Sequence, residues 1–223
     1  MSRTPIAAPA RERILDAADV LLARFGYRKM TVDDIAQEAG IGKGTVYLSF
    51  PTKEEIALCC IDRMVERLLK RLRAIGSGPG TAEARLRAML RERVLHRFDY
   101  ARHHAASIDA MLLVVRRSLL ARRGRYFRSE ADVFEQVLSR AHQQGELATR
   151  SPSRDAESLV TATNALLPYS LSPRELGNRK DLERRVDAVA DLLVHGLNSS
   201  TPRRRSRHGR SPRSRSLPQR SPR

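Results

Sequence analysis

Apolar residues recur along this chain at helical spacing. In "RERILDAADVLLARF" (11–25), Ile14, Ala17, Ala18, Leu21, Leu22 and Phe25 share one face of an amphipathic helix, at i, i+3, i+4 and i+7. Gly26 follows, where a C-terminal glycine cap belongs. "TVDD" opens the next element: Thr31 is an N-cap, Asp34 completes a capping box, and Ile35, Ala36 and Ala39 form the buried side of a short helix that stops at Gly40. A second short helix is expected over Lys43 to Phe50. Pro51 ends it, and Thr52 with Glu55 starts a long helix. That helix turns Ile61, Met64, Val65, Leu68, Leu72 and Ile75 inward, as far as the loop "GSGPG" (76–80). Five more helices follow. The first, about 82–104, carries Leu86, Met89, Leu90, Val94 and Phe98 inward. The others run at about 107–123 with a break at Gly124, 126–144, 154–167 and 180–197. No stretch alternates with period two between turns, so the pattern predicts an all-α chain of about nine helices.

The shortest segments carry the chemistry. Thr31 to Phe50 reads as helix, a turn at Gly40, then helix, which is the helix-turn-helix layout. Val46 and Phe50 face the small core, and Gly42 is an N-cap without a side-chain acceptor. Lys43, Gly44, Thr45, Tyr47 and Leu48 remain on the outer face. Lys43 offers charge to a phosphate or a guanine edge. Gly44 lets DNA approach the backbone. Thr45 can bond a phosphate or touch a thymine methyl, and Tyr47 carries a hydroxyl on a rigid arm. Lys53 lies at a helix N-terminus, which itself favours a phosphate. A phosphate loop is disfavoured, because the stretch does not match G-x-x-x-x-G-K-[ST] and follows a capped helix rather than a strand.

The segment "TVDDIAQEAGIGKGTVYLSFPTKEEI" resembles the signature of TetR-family transcriptional regulators. Thr31, Ile35, Ala36, Ala39, Gly40, Gly44, Thr45, Val46, Tyr47, Phe50, Lys53 and Glu54 stand at the family's positions. The resemblance covers about residues 11 to 65 strongly. Downstream it is weaker, carried by "LSRAHQQGEL" and the helical "RDAESLVTATNAL". Gly42 stands where the family usually has Ser or Thr, and Leu48 and Ser49 where an aromatic or polar residue and a histidine are common, so the operator does not carry over from relatives.

The resemblance implies a cytoplasmic, nucleoid-associated homodimer that reads a palindromic double-stranded operator. It implies a small-molecule effector that releases the DNA, and dimerisation through the last two helices. The implied organisation is a flexible arm (1–10), a three-helix DNA-binding domain with the helix-turn-helix (11–52), a helical effector-binding and dimerisation domain (53–198) and a disordered basic tail (199–223). The DNA-contact candidates are Thr31, Gly42, Lys43, Gly44, Thr45, Tyr47, Leu48 and Lys53. The alternative is an architectural or adaptor protein that keeps the DNA-binding head but answers to a protein partner.

Composition narrows the remainder. Tryptophan is absent and aromatics make up 4%, so the core must be aliphatic. Phe98, Tyr100, His103, Met111 and Phe134 are candidates for an effector pocket, with core packing the commoner use of any single aromatic. His96, Asp99 and His103 share a helix face, but a polar wall is the more ordinary reading than a metal site. No metal or cofactor is expected, and no nucleophile–base arrangement suggests an enzyme. Cys59 and Cys60 are adjacent, which suits reduced core thiols better than a staple. No apolar run reaches the ~18 residues of a membrane helix.

The net charge of +17 suggests a polyanion partner, yet the head does not supply it: residues 1–60 hold eight basic and eight acidic residues. Nine arginines and no acid lie in 199–223, where the lack of apolar residues predicts disorder. Such a tail could bind RNA, add nonspecific DNA affinity by counterion release, or be a by-product of an arginine-rich composition.

Overall fold

The computed structural model describes residues 8–104, 108–149, 151–167 and 177–199. Among them every regular element is helical: α1 (Ala8–Arg24), α2 (Gly26–Lys29), α3 (Val32–Glu38), α4 (Lys43–Ser49), α5 (Lys53–Gly76), α6 (Ala82–His103), α7 (Ile108–Gln143), α8 (Pro152–Ala162), a 3-10 turn (Asn164–Leu166) and α9 (Arg179–Ser199). The tail expected over 199–223 lies outside the described residues, apart from the Ser199 backbone that ends α9.

Two helix starts, at Thr31 and Thr52, follow the capping chemistry read from the sequence, and Thr81 caps α6 in the same way. The Thr31, Thr52 and Thr81 hydroxyls accept from the amides of Asp34, Glu55 and Ala84, each the third residue of its helix. Two expectations fail. Gly124 does not break a helix, since α7 runs through it for 36 residues. Buried Val115 and Leu119 before it and Tyr126 and Phe134 after it lie on one packed side, and tertiary burial overrides the roughly 1 kcal/mol a mid-helix glycine costs. Phe25 is not in the core: it is 45% exposed at the end of α1, with the Arg24 guanidinium over its ring.

The core divides into three contiguous clusters. The first contains Leu22, Met30, Ile35, Val46 and Phe50 with Ile56, Met64, Met111 and Val115, so it runs from the short helices into α5 and α7. The second gathers the far end of α5 with α6, α7, α8 and α9 around Leu72, Met89 and Phe134. The third joins Val94, Leu95 and Phe98 to Leu167, Leu182 and Val186. Phe127 packs against all three. α5 and α7 approach closely where α5 ends: a Cβ on Gly76 would lie 2.7 Å from Val137 Cγ2.

Candidate nucleic-acid interface

Three helices around the first cluster are seven residues or shorter, too short to be stable alone. The structure holds each by a cation placed on its carbonyl end, where unpaired carbonyls and the helix dipole both favour positive charge. Arg13 Nη2 donates to the carbonyls of Ala39 (2.5 Å) and Gly40 (2.9 Å) at the end of α3. Arg11 Nη1 donates to Ser49 O at 3.3 Å, at the end of α4, and its guanidinium stacks 4.1 Å above the Phe50 ring. Lys53 Nζ donates to the carbonyls of Tyr27 (3.1 Å) and Met30 (3.0 Å) at the end of α2 and sits 4.4 Å over the Tyr27 ring. Gly40 takes φ +61°, the left-handed conformation that turns the chain from α3 towards α4.

The helix α4 is seated from below by Val46 and Phe50, at 0% and 1% exposure. Its outer surface carries Gly42, Lys43, Gly44, Tyr47 and Leu48, with Tyr47 48% and Leu48 68% exposed. Thr45 is half-buried, and its carbonyl accepts from Ser49 Oγ at 3.1 Å. Gly42 caps α4 with no side-chain bond. A Cβ built on Gly42 or Gly44 would meet nothing within 4 Å, so the packing inside the protein does not require glycine at either place.

Lys43 and Lys53 have partners that the sequence did not reveal. Lys43 Nζ pairs with Asp33 Oδ2 at 2.8 Å, and that bond raises the lysine's pKa. The pair draws the first turn of α4 against the first turn of α3. Thr31 is exposed, and its hydroxyl and amide are held by Asp34; the bonds from Thr31 lower the pKa of the Asp34 carboxyl. Lys53 is half-buried and committed to its two carbonyls.

The five effector-pocket candidates do not share one cavity. Tyr100 and His103 line a cleft of about 460 Å³, with Asp19 and Val20 of α1, Met64 and Arg71 of α5, and Arg179 of α9. Phe98, Met111 and Phe134 are packed instead into the third, first and second clusters. His96 and Asp99 also line the cleft, but His96 Nε2 lies 3.3 Å from Met64 O and Asp99 pairs with Arg179 at 3.0 Å. Asp19 ties the cleft to the head: it accepts from Arg63 Nη2 at 2.5 Å and from the Tyr100 hydroxyl at 3.4 Å. A second cleft, of about 500 Å³, opens between α1, α5 and α7 beside Cys59. Cys59 and Cys60 are free thiols at 7% and 1% exposure, and burial raises the pKa of both.

Sequence reasoning missed a polar group inside the body. Glu130 is 0% exposed; its Oε2 accepts from Arg93 Nε at 2.6 Å, and its Oε1 accepts from Arg97 Nη2. Arg93 also donates to Thr163 Oγ1 and Asn164 Oδ1, both at 2.6 Å, so α6, α7 and the 3-10 turn meet at the Arg93 guanidinium. The signal was present: Arg93 and Arg97 continue the inward stripe of Leu86 and Leu90, and Glu130 lies between inward Phe127 and Phe134.

No helix among the described residues is long and apolar enough to cross a membrane. Residues 14–59 match the model for bacterial regulatory proteins of the tetR family. The fatty acid metabolism regulator protein of Bacillus subtilis is 24% identical over 194 residues, which cover 86% of this chain and 97% of that protein. A transcriptional regulator from Cytophaga hutchinsonii shares the fold with a TM-score of 0.68 at 21% identity, over 84% of this chain and 97% of that one. The regulator FadR from Bacillus subtilis, in complex with stearoyl-CoA, superposes with a TM-score of 0.56 at 21% identity, over 83% and 98%.

Proposed function

We propose that this chain, which belongs through residues 14–59 to the tetR family of bacterial regulatory proteins, is a homodimeric repressor that grips a palindromic operator with α4 and releases it when a small molecule binds the body. One observation carries the DNA half of this reading. Gly44 stands in open space between exposed Lys43 and Tyr47, on a helix whose other face is fully packed. A glycine that destabilises its helix and serves no internal contact is explained by a close approach from outside, and the first turns of a reading helix are where DNA approaches. In this arrangement Tyr47 and Leu48 meet base edges or sugar, Thr31 and Gly42 lie near the phosphates, Thr45 supports the groove face, and Lys43 exchanges Asp33 for a phosphate on binding.

Pairing through α8 and α9 is supported by Leu192, which is 76% exposed on the outer side of α9. The release half is supported by the cleft at Tyr100 and His103, because it touches α1, α5, α6 and α9 together. An occupant there would press on the helix that carries the head. Fatty acyl-CoA is the first effector to try, since the Bacillus subtilis fatty acid regulator aligns over nearly its whole length and FadR is solved with stearoyl-CoA.

Selection of bound sequences from a random duplex pool tests the reading. A palindrome with half-sites about one helical turn apart is expected. Tyr47→Ala should weaken binding to it by roughly tenfold or more with an unchanged melting temperature. A pool enriched without any palindrome would favour the adaptor alternative.

A further inference from the structure

The head carries no net charge, yet an operator grip draws much of its affinity from phosphates. Which cations remain for that task is set by what the others already hold. Seven basic residues are described within the first 60: Arg11, Arg13, Arg24, Arg28, Lys29, Lys43 and Lys53. Arg11, Arg13 and Lys53 are bound to helix carbonyls, Lys43 reaches a phosphate only by giving up Asp33, and Arg24 lies 4.8 Å over the Phe25 ring. Arg28 and Lys29 are exposed and have no partner among the described residues.

Their setting is rigid. α2 is a single turn whose inward side chain, Tyr27, is 4% exposed, and the Met30 that follows is 0% exposed. The Tyr27 hydroxyl donates to Glu54 Oε1 at 2.9 Å, and Lys53 holds the carbonyls of Tyr27 and Met30, one on either side of the two cations. Anchors at 27 and 30 leave 28 and 29 facing out. Thr31, the cap of α3, follows directly. Arg28 and Lys29 thus lie on the turn just before α3, and the first turn of α3 is tied through the Asp33–Lys43 pair to the first turn of α4.

We propose that Arg28 and Lys29 form the phosphate clamp of the head and that Lys53 acts as a positioning residue which fixes the α2 turn beneath them, not as a phosphate contact itself. The inference rests on the DNA-binding reading above. A dimer with both clamps engaged neutralises up to four phosphates, so the slope of log affinity against log salt should flatten by up to ~3.6 when they are lost, at ~0.9 per phosphate.

The test is a salt titration of the full-length protein on its selected palindrome and on an unrelated duplex. Arg28→Gln with Lys29→Gln should flatten the slope and lower affinity for both duplexes by a similar factor, about tenfold or more. Tyr47→Ala should weaken the palindrome while keeping the native slope. If Tyr47→Ala loses the operator but the double variant keeps the native slope, the clamp is wrong and the DNA reading stands. If the native protein binds neither duplex, the DNA reading falls and the clamp with it. Lys53→Met added to the double variant should not flatten the slope further, because what it positions is gone; additional flattening would make Lys53 a contact and overturn its positioning role. Should that triple variant fail to fold, Lys53→Gln alone answers the same question: it removes the charge and keeps amide donors for the carbonyls. The native slope is expected, and a loss of up to ~1.8 overturns the assignment.

Discussion

In the head, Arg11, Arg13 and Lys53 close the carbonyl ends of helices that are seven residues or shorter, at positions water still reaches. In the body, Arg93 and Arg97 meet Glu130 at 0% or 1% exposure, between helices of 22 and 36 residues. Both regions use guanidinium groups, for different ends. Head cations supply what short helices lack, and each contact is solvent-screened and separately replaceable. The body's ionic group is shared by three elements, and removing one member leaves charge where water cannot follow. A reading head has to seat small helices without a large core. On the proposed reading, the body has to keep long helices in one register while an effector acts on them.

The largest effect expected from this contrast is at Glu130. Glu130→Ala removes the carboxylate that both arginines share and should destabilise the protein by about 3–5 kcal/mol, as measured by chemical denaturation. Replacing all three charges with Arg93→Met, Arg97→Met and Glu130→Leu should recover much of that loss, since an apolar set is often as stable as a buried ionic one. A Glu130→Ala protein that melts like the native one would break the comparison. In the head, Arg13→Ala should cost about 1 kcal/mol, because two carbonyls lose a charged donor but regain water. That corresponds to roughly 2–4 °C in melting temperature for a chain of this size. An effect as large as that of Glu130→Ala would show the two regions to be built alike.

Acid separates the cleft at the junction from both. His104, 3% exposed, and His96 have pKa values lowered by burial; the carbonyl of Tyr100 partly offsets this for His104 and Glu92 for His96. The unfolded chain therefore binds these protons more readily than the folded one. The sign follows: the stability is fully present above about pH 6.5, the ordinary histidine value, and is lost as the pH falls from there through the folded values. The carboxyls of Asp34 and Glu54, whose pKa values are lowered, act only below the ordinary carboxylate range near pH 4. Melting temperature should fall between pH 7 and pH 5, and His104→Gln should flatten that fall. An unchanged profile in the variant would remove His104 from the account.

The head was legible in the sequence because its determinants are local. A threonine cap followed by Asp34, a glycine at the turn and a buried Val46–Phe50 pair each act within a few residues, and the structure returns each of them. The body was legible as helices but not as an assembly. Periodicity says which face of a helix is buried, not which faces meet, so Phe98, Met111 and Phe134 were grouped although they belong to three different clusters. Gly124 misled for a related reason, because the burial that carries α7 through it comes from distant partners. Lys53 matches the family pattern, but sequence alone does not reveal that its ammonium is already held by two carbonyls.

The smallest effect on stability is expected at Gly44, where it discriminates most between structural and functional needs. A methyl there meets nothing within 4 Å, and alanine is the better helix former, so Gly44→Ala should stabilise the protein by about 0.5–1 kcal/mol. The same methyl occupies the space through which a DNA backbone would approach α4, so operator binding should weaken while the melting temperature rises. Opposite signs in one variant are hard to obtain from damage to the fold, which lowers both quantities, or from an idle surface position, which leaves binding alone. If binding is unchanged while stability rises, the open space above Gly44 serves no ligand, and the docking of α4 must be turned so that Tyr47 and Leu48 lead into the groove.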